Sequence, residues 1–197
     1  MKWIGDRTSF VDHANKTTIV IKPENIGWQK AAMGAWFFMW LTIGATMFWA
    51  LGLKLTDQEI IIVTVFLTFW AYYAYRVGRQ FLWLLWGSEN LKINETELAI
   101  KKAFGKYGKA TPYYLDNIRK IRVQEPKESS FQAVWEASPW IRGGERIEFD
   151  YMGKVIRFGR KLNQKDAKIL FNLVTKRVEE QLRLSRKKQQ HEKKQQG

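Results

Sequence analysis

Residues 31–53 have the sequence AAMGAWFFMWLTIGATMFWALGL, which contains no charged side chain and is bracketed by Lys30 and Lys54. At about 1.5 Å per residue a helix of this run spans roughly 34 Å, more than the roughly 30 Å hydrocarbon core of a bilayer. Thr42 and Thr46 are too few to give the polar face of a helix at the surface of a soluble protein. The run also starts too late and is too long for a cleaved signal peptide. It predicts a transmembrane helix.

A second apolar run, IIIVTVFLTFWAYYAY, covers residues 60–75 and is followed by Arg76, Arg79 and the segment FLWLLW at 81–86. The run spans roughly 24 Å as a helix. We expect its aromatic side chains to form an interfacial belt and both arginines to extend toward lipid headgroups. FLWLLW would then continue as an interfacial helix. The alternative makes the two arginines functional charges inside the membrane.

The segment joining the two runs, residues 52–59, is short and predicts a tight antiparallel hairpin. Lys54 is its only basic residue, and Asp57 and Glu59 offset that charge. The flanks of the hairpin, by contrast, carry many basic residues: Lys2, Arg7, Lys16, Lys22, Lys30, Arg76, Arg79, Lys92, Lys101 and Lys102. Because basic flanks stay on the cytoplasmic side, we expect both termini to be cytoplasmic in a bacterial inner membrane.

After Gly87 the pattern becomes typical of strands. Apolar and polar residues alternate in ENLKIN, ELAIKKAF and RKIRVQ, between residues 89 and 124. ATPYYL follows a glycine turn, and ERIEFDY and KVIRFGR flank the tight turn Met152-Gly153. Asn163, with Asp166 three residues later, predicts a helix N-cap. An apolar stripe follows at helical spacing: Ala167, Leu170, Phe171, Val174 and Val178. The pattern predicts an antiparallel β-barrel or sandwich capped by a C-terminal helix.

Three stretches of this region carry a resemblance to a known family. They are WGSENLKINETELAIKKAFG at 86–105, YYLDNIRKIRV at 113–123 and RKLNQKDAKILFNLV at 160–174. With the preceding hairpin, they make residues 31 to about 182 resemble bacterial membrane-anchored pleckstrin-homology-like proteins. The resemblance implies a PH-like α+β domain without common catalytic residues. Residues 1–30, the insertion between residues 124 and 143 and the basic tail depart from the family pattern.

These features divide the chain into four segments. We expect an N-terminal cytoplasmic segment at 1–30 and a two-helix transmembrane hairpin with its interfacial extension at 31–87. A PH-like domain follows at 88–182, and a basic tail at 183–197.

The sequence shows no pattern typical of catalysis, of a metal site or of a cofactor site. It contains no Cys, and its two histidines, His13 and His191, lie in terminal segments without a ligand-spaced partner. The segment FGKYGK at 104–109 lacks the spacing of a phosphate-binding loop. We therefore predict a protein that is not an enzyme and that needs no metal and no cofactor.

Charge is the first of three features that favour a binding function. Residues 88–197 hold 25 Lys and Arg against 14 Asp and Glu. Near an anionic leaflet each surface cation contributes about 1 kcal/mol. The residues that we expect to meet anionic phospholipid headgroups are Arg76, Arg79, Lys101, Lys102, Lys106 and Lys109. The alternative is an ordinary positive-inside bias without a specific headgroup site.

The second feature is the insertion EPKESSFQAVWEASPWIRGG, residues 125–144. Its bulky apolar residues are unusual for a loop in solvent, and they include Phe131, Trp135, Trp140 and Ile141. Such residues predict contact with a partner protein, with the domain's own core or with the membrane interface.

The third feature is the basic tail, which lacks an apolar face after Leu184. It predicts either a solvated extension or a segment that docks to an acidic partner, to anionic lipid or to RNA. Nucleic acid is not favoured, because aromatic residues do not interleave with these cations.

Together these features predict a non-enzymatic inner-membrane scaffold, accessory or assembly subunit of a larger complex. Its cytoplasmic domain would dock other membrane-protein subunits. An anionic-lipid-responsive regulator is the alternative. An oligomeric channel or transport subunit is a third class, although two spans without a central charge enclose no path by themselves.

Overall fold

The computed structural model of the chain describes residues 1–13, 15–24, 26–124, 138, 140 and 143–195, with side chains as far as residue 187. Its elements are β1 (Lys2–Ile4), β2 (Thr8–His13), β3 (Lys16–Ile21), α1 (Gly27–Ala50), α2 (Asp57–Trp86), β4 (Gly87–Ile93), β5 (Glu97–Phe104), β6 (Ala110–Tyr114), β7 (Ile118–Val123), β8 (Glu145–Tyr151), β9 (Lys154–Arg160) and α3 (Gln164–Gln195). These elements form two compact units. The helical unit contains α1 and α2, and the sheet unit contains the strands and α3.

Both helices of the helical unit are long and apolar enough to cross a membrane. Only 17% of the apolar stretch of α1 and 11% of that of α2 is buried, whereas the core helix of a soluble protein is mostly buried. Large exposed side chains on these helices include Phe38, Phe48, Trp49, Ile62 and Phe69. The predicted interfacial helix is not separate, because α2 continues without a break through FLWLLW.

Glycines let α1 and α2 approach closely. The Trp70 ring lies against Gly44, where an added Cβ would come within 1.9 Å of the indole. Trp40 and Trp70 each donate their indole N–H to the other's backbone carbonyl, over 3.2 and 2.7 Å respectively. These reciprocal bonds satisfy the polar atoms of both rings between two otherwise apolar helices.

The N-terminal segment differs from the predicted division of the chain. Residues 1–24 supply β1, β2 and β3 to a six-stranded antiparallel sheet in the order β1-β2-β3-β4-β5-β6. Strand β3 pairs directly with β4, with Ile21 opposite Glu89. The physical reason is burial, because Ile19 and Ile21 occupy alternate positions of β3, on the face that is buried in the core. The hairpin α1–α2 is therefore an insertion between two neighbouring strands of one sheet.

The six strands predicted after Gly87 are all present, as β4 to β9. Strands β7, β8 and β9 form a second antiparallel sheet. No strand pairing joins the two sheets among the described residues, so the predicted alternative of a closed barrel is not what they form. The sheet unit is an antiparallel two-sheet domain with a C-terminal helix.

Helix α3 packs against a core that both sheets share. Its predicted N-cap is confirmed, because the Asn163 side-chain oxygen accepts the backbone N–H of Asp166 over 2.6 Å. Four residues of the predicted stripe are buried: Ala167, Leu170, Val174 and Val178. Phe171 is only partly buried. The helix continues through the basic tail to Gln195.

Candidate functional site

Arg76 and Arg79 lie on α2 beyond its apolar stretch, and each contacts a tyrosine one turn earlier. Arg76 donates to the Tyr72 hydroxyl over 2.8 Å, and Arg79 donates to the Tyr75 hydroxyl over 3.4 Å. The stretch from Asp57 to Arg76 measures about 28 Å along the helix at about 1.5 Å per residue. That length is close to the roughly 30 Å hydrocarbon thickness of a bilayer, so the distance favours an interfacial rather than a central position for both arginines.

Lys101, Lys106 and Lys109 lie at the hairpin that joins β5 and β6. Phe104 and Tyr107 close this turn with two backbone hydrogen bonds of 2.8 and 3.0 Å. Lys101 donates to the backbone carbonyl of Lys106 over 3.1 Å. The Tyr107 side chain is 84% exposed. The turn thus presents an aromatic ring flanked by cations.

Lys102, from the same hairpin, has a different environment. Its ammonium lies 3.5 Å from Glu89 and 3.0 Å from Glu145. Glu89 is fully buried and accepts the backbone N–H groups of Gly159 and Arg160 over 2.9 and 3.0 Å. This network ties β4 and β5 of one sheet to β8 and β9 of the other. Lys102 is thus occupied by contacts within the domain.

The ion pair with Lys102 also sets the ionisation of Glu145. Burial acts to raise the pKa of Glu145, but the charge and hydrogen bond of Lys102, together with a backbone hydrogen bond and the charge of Arg160, hold that pKa below its ordinary value. Glu145 is therefore a carboxylate at neutral pH and keeps its ion pair with Lys102.

Trp140 is the described member of the four predicted partner-binding residues. The other three lie outside the described residues: Phe131, Trp135 and Ile141. The Trp140 ring packs edge to face against Trp36 of α1, with ring centroids 5.2 Å apart. Trp36 in turn stacks on Trp40 at 5.4 Å. Trp140 is still 36% exposed, so part of its ring remains accessible.

A cleft of about 450 Å³ opens in the sheet unit beside β6 and β9, which are each the last strand of their sheet. Its apolar lining comes from Ile100, Val155 and Ile156. Tyr113 adds an aromatic wall and packs against Phe149 and Tyr151, with centroid distances of 5.4 and 5.0 Å. Burial raises the pKa of Tyr113, so its hydroxyl remains a hydrogen-bond donor at neutral pH.

The charged lining of the cleft is mostly basic. It comes from Lys102, Lys109, Arg157 and one carboxylate, Glu145. Arg157 donates through Nε to Glu148 over 3.2 Å, and its side chain is 54% exposed. In the part of the chain that the structure describes, Lys109 has no ion-pair partner. Lys109 and Arg157 therefore present positive charge that a ligand can reach.

A second group of cations lies near the start of α3. Arg7 donates to the backbone carbonyls of Lys22 and Arg160 over 3.0 and 3.2 Å, which ties the β1–β2 turn to the end of β9. The Lys161 ammonium donates to the carbonyl of Ser138. Burial and the neighbouring charges of Arg160 and Arg7 lower the pKa of Lys161 to about 8. Backbone carbonyls accept hydrogen bonds from both Arg7 and Lys161, so these two cations connect segments of the domain.

Among the described residues there is no group of three or more His, Asp or Glu side chains placed to hold a metal ion. No family model matches this chain, and no curated protein matches its sequence.

Sequence reasoning identified the basic hairpin but missed Glu89, which contacts Lys102 from β4, and Arg157, which lines the cleft from β9. Glu89, Leu91 and Ile93 occupy every second position of β4, and all three are buried on one face of the strand. A carboxylate in phase with core residues needs a buried partner. The position of Glu89 in the strand pattern therefore predicts that it has a buried partner. Nothing in the local sequence indicates that Arg157 approaches β6.

Proposed function

We propose that this chain is a membrane-anchored, non-enzymatic scaffold, accessory or assembly subunit of a larger membrane complex. In this proposal, its PH-like domain docks other membrane-protein subunits at the cytoplasmic face of a bacterial inner membrane. The observation that carries the proposal is the insertion of α1–α2 between β3 and β4. Those strands pair from Thr17 opposite Ile93 to Ile21 opposite Glu89, so both ends of the hairpin lead into one sheet.

The insertion supports one topology. Two spans return the chain to the side from which it came, and the paired strands require that same return. The linker 51–56 then lies on the opposite side, and the basic flanks favour the cytoplasm for the sheet unit.

The order of strands supports the PH-like part of the proposal. Strands β3 to β6 and then β7 to β9 form successive antiparallel meanders, and α3 follows and packs on the shared core. Strands β1 and β2 extend the first sheet beyond that arrangement. Exposed aromatic rings on this domain include Trp3, Tyr107 and Tyr114, and aromatic residues are common at the centre of protein interfaces.

Co-purification in mild detergent tests the docking function. We expect membrane proteins to be recovered reproducibly with the wild-type chain. Replacing Trp135 and Trp140 together by alanine should weaken that recovery by more than about tenfold, since single hot-spot truncations commonly cost about 2 kcal/mol or more. Trp3→Ala is the matched control, because Trp3 is 56% exposed on β1 and lies outside the insertion. An absence of co-purifying membrane proteins, or an equal loss in the control, would contradict the proposal.

A lipid-responsive regulator is the second candidate, and the β5–β6 turn favours it. Exposed Tyr107 between Lys106 and Lys109 combines an amphipathic ring with cations, which suits an anionic membrane surface. In nanodiscs, the regulator function requires that anionic lipid slow hydrogen exchange of this turn relative to neutral lipid. Lys106→Glu combined with Lys109→Glu should abolish that difference, and equal exchange rates in both lipids would exclude this candidate.

A further inference from the structure

The outer edge of β9 is closed by hydrogen bonds at one end, and at the other end it is open to the cleft. At the closed end Glu89 of β4 accepts the backbone N–H groups of Gly159 and Arg160. At the open end Val155 and Arg157 line the cleft beside β6. No strand among the described residues pairs with this side of β9.

The strand register indicates which backbone groups point toward the cleft. Met152 and Gly153, both with positive φ, form the two-residue turn of the β8–β9 hairpin. Such a turn makes Tyr151 and Lys154 a hydrogen-bonded pair, and bonding then alternates along β9. The N–H and C=O groups of Val155 and Arg157 therefore point away from β8. The N–H of Gly159, two residues further along, follows the same alternation and reaches Glu89.

The facing edge of β6 is blunted by a proline. Phe104 with Tyr107, and Thr96 with Leu115, mark the hydrogen-bonded positions at the two ends of the β5–β6 ladder. By alternation, the nitrogen of Pro112 points outward from that ladder. Proline has no N–H, so β6 offers no donor at the middle of its edge. Strand β9 therefore provides the edge on which another strand can pair.

The side chains around the open edge favour a particular kind of strand. Ile100 and Ile156 give the cleft an apolar floor, and Lys109 and Arg157 lie among its charged lining. Arg157 uses Nε for Glu148, and its two terminal nitrogens have no hydrogen bond to other described residues. An extended segment with alternating side chains would direct every second residue toward the floor. Carboxylates on that segment would complement Lys109 and Arg157.

We propose that this cleft, between β6 and β9, is a strand-addition site for an extended acidic segment of a partner protein. The inference rests on the proposed docking function and names the surface and the partner chemistry. Backbone hydrogen bonds to Val155 and Arg157 supply the pairing, which alone would bind any extended chain. The two cations supply the preference for acidic sequence.

Fluorescence anisotropy on the full chain in mild detergent tests the site with a labelled probe. The probe is the blocked pentapeptide Glu-Val-Glu-Val-Glu, and its charge-reversed analogue replaces each Glu by Lys. We expect saturable binding of the acidic probe and at least about tenfold weaker binding of the basic analogue, since like charges brought together at an interface repel. No saturable binding of the acidic probe at millimolar concentration overturns the proposal, and so does equal binding of both peptides.

Backbone methylation separates strand pairing from simple anion binding. Two further probes carry N-methyl groups on the valines or on the glutamates. In an added strand only alternate N–H groups face β9, so one of these probes should lose binding and the other should retain it. If both bind like the parent, the cleft holds anions without strand pairing, and the proposal fails.

Variants of the protein complete the test. Lys109→Glu should weaken the acidic probe at least about tenfold, and Lys92→Glu, an exposed lysine of β4 outside the cleft, should leave it unchanged. Val155→Pro removes an outward N–H at an edge position that tolerates proline, and should also weaken the probe. Circular dichroism verifies that each variant is folded. Unchanged binding in both Lys109→Glu and Val155→Pro overturns the site.

The proposed docking function is tested by a separate experiment, the co-purification of membrane proteins. Loss of co-purifying subunits in the Trp135 and Trp140 double variant does not involve this probe. The cleft can therefore fail its test while docking through the insertion stands, and the reverse outcome is equally visible.

Discussion

Replacing Glu89 by alanine tests whether a buried carboxylate holds the two sheets of the domain together. The change leaves the N–H groups of Gly159 and Arg160 buried without their acceptor, at about 1–3 kcal/mol for each group. It also removes one of two carboxylates from Lys102, whose side chain is 37% exposed and keeps Glu145. Solvent screens that second loss, so we expect the free energy of unfolding to fall by about 3–5 kcal/mol in total.

Glu89→Gln separates the two contributions. The amide oxygen still accepts both backbone N–H groups, while the negative charge beside Lys102 is lost. We expect this variant to lose about 1–2 kcal/mol, since its hydrogen bonds are retained but no longer charge-assisted.

Pulse proteolysis in urea, on the full chain in mild detergent, gives the free energy of unfolding without relying on overlapping tryptophan signals. Glu179→Ala is the control, because Glu179 is exposed on α3 and should change stability by less than about 0.5 kcal/mol. Hydrogen exchange at Gly159 and Arg160 should accelerate in the alanine variant and remain slow in the glutamine variant. A loss below about 1 kcal/mol for Glu89→Ala, or equal losses for both variants, would refute the reasoning, because two buried N–H groups cannot lose their acceptor at so small a cost.

Two further predictions follow from the sheet unit and from the helical unit. Because the folded-state pKa of Lys161 is lowered from 10.5 to about 8, the unfolded chain binds this proton more tightly, and the free energy of unfolding should rise as pH increases between those values. Urea midpoints measured across that pH window should rise in the wild type and rise less in Lys161→Met. Equal dependence of the midpoint on pH in both proteins would show that the pKa of Lys161 is not lowered by folding. In the helical unit, Gly44→Leu should drive the Trp70 ring from its position and lower the temperature at which the full chain loses monodispersity in mild detergent. Ala45→Leu adds a similar side chain at the next, exposed position and should change that temperature little, so equal shifts in both variants would argue against the Trp70–Gly44 contact.

Local patterns predict the elements whose signal is contained in a short window. The absence of charge over residues 31–53 predicts α1, and alternation together with tight turns predicts β4 to β9. Local patterns do not predict β2 and β3, because β3 pairs with β4, which follows it in the chain only after the whole of the inserted hairpin. No local feature of Ile21 indicates that its partner is Glu89, on the far side of two helices.

The basic hairpin shows the same limit at the level of single residues. Lys102 and Lys109 lie close together in sequence, so the local pattern predicts that both meet anionic headgroups. Lys102 is in phase with Leu98 and Ile100 along β5, which are buried, so its side chain points inward and meets Glu89 and Glu145. The period of the strand contains part of this information. One partner, Glu89, lies directly opposite Lys102 on the neighbouring strand β4, whereas the other, Glu145, comes from the second sheet.

In the proposed topology, the α1–α2 hairpin crosses the bilayer twice and is inserted into a single sheet that lies on one side of it. The chain contains no Cys, so single cysteines can report sidedness directly. The suitable positions are Lys16 at the exposed start of β3, Lys106 in the β5–β6 turn and Lys54 in the linker. Thr56 also lies in the linker, but it caps α2 through hydrogen bonds with Glu59, so Lys54 is the better position for a cysteine. With a membrane-impermeant maleimide on intact spheroplasts, we predict labelling at position 54 alone, with positions 16 and 106 labelled only after the membrane is permeabilised. Labelling of positions 16 and 106 from opposite sides would contradict the insertion itself, and labelling of both from outside would reverse the proposed orientation.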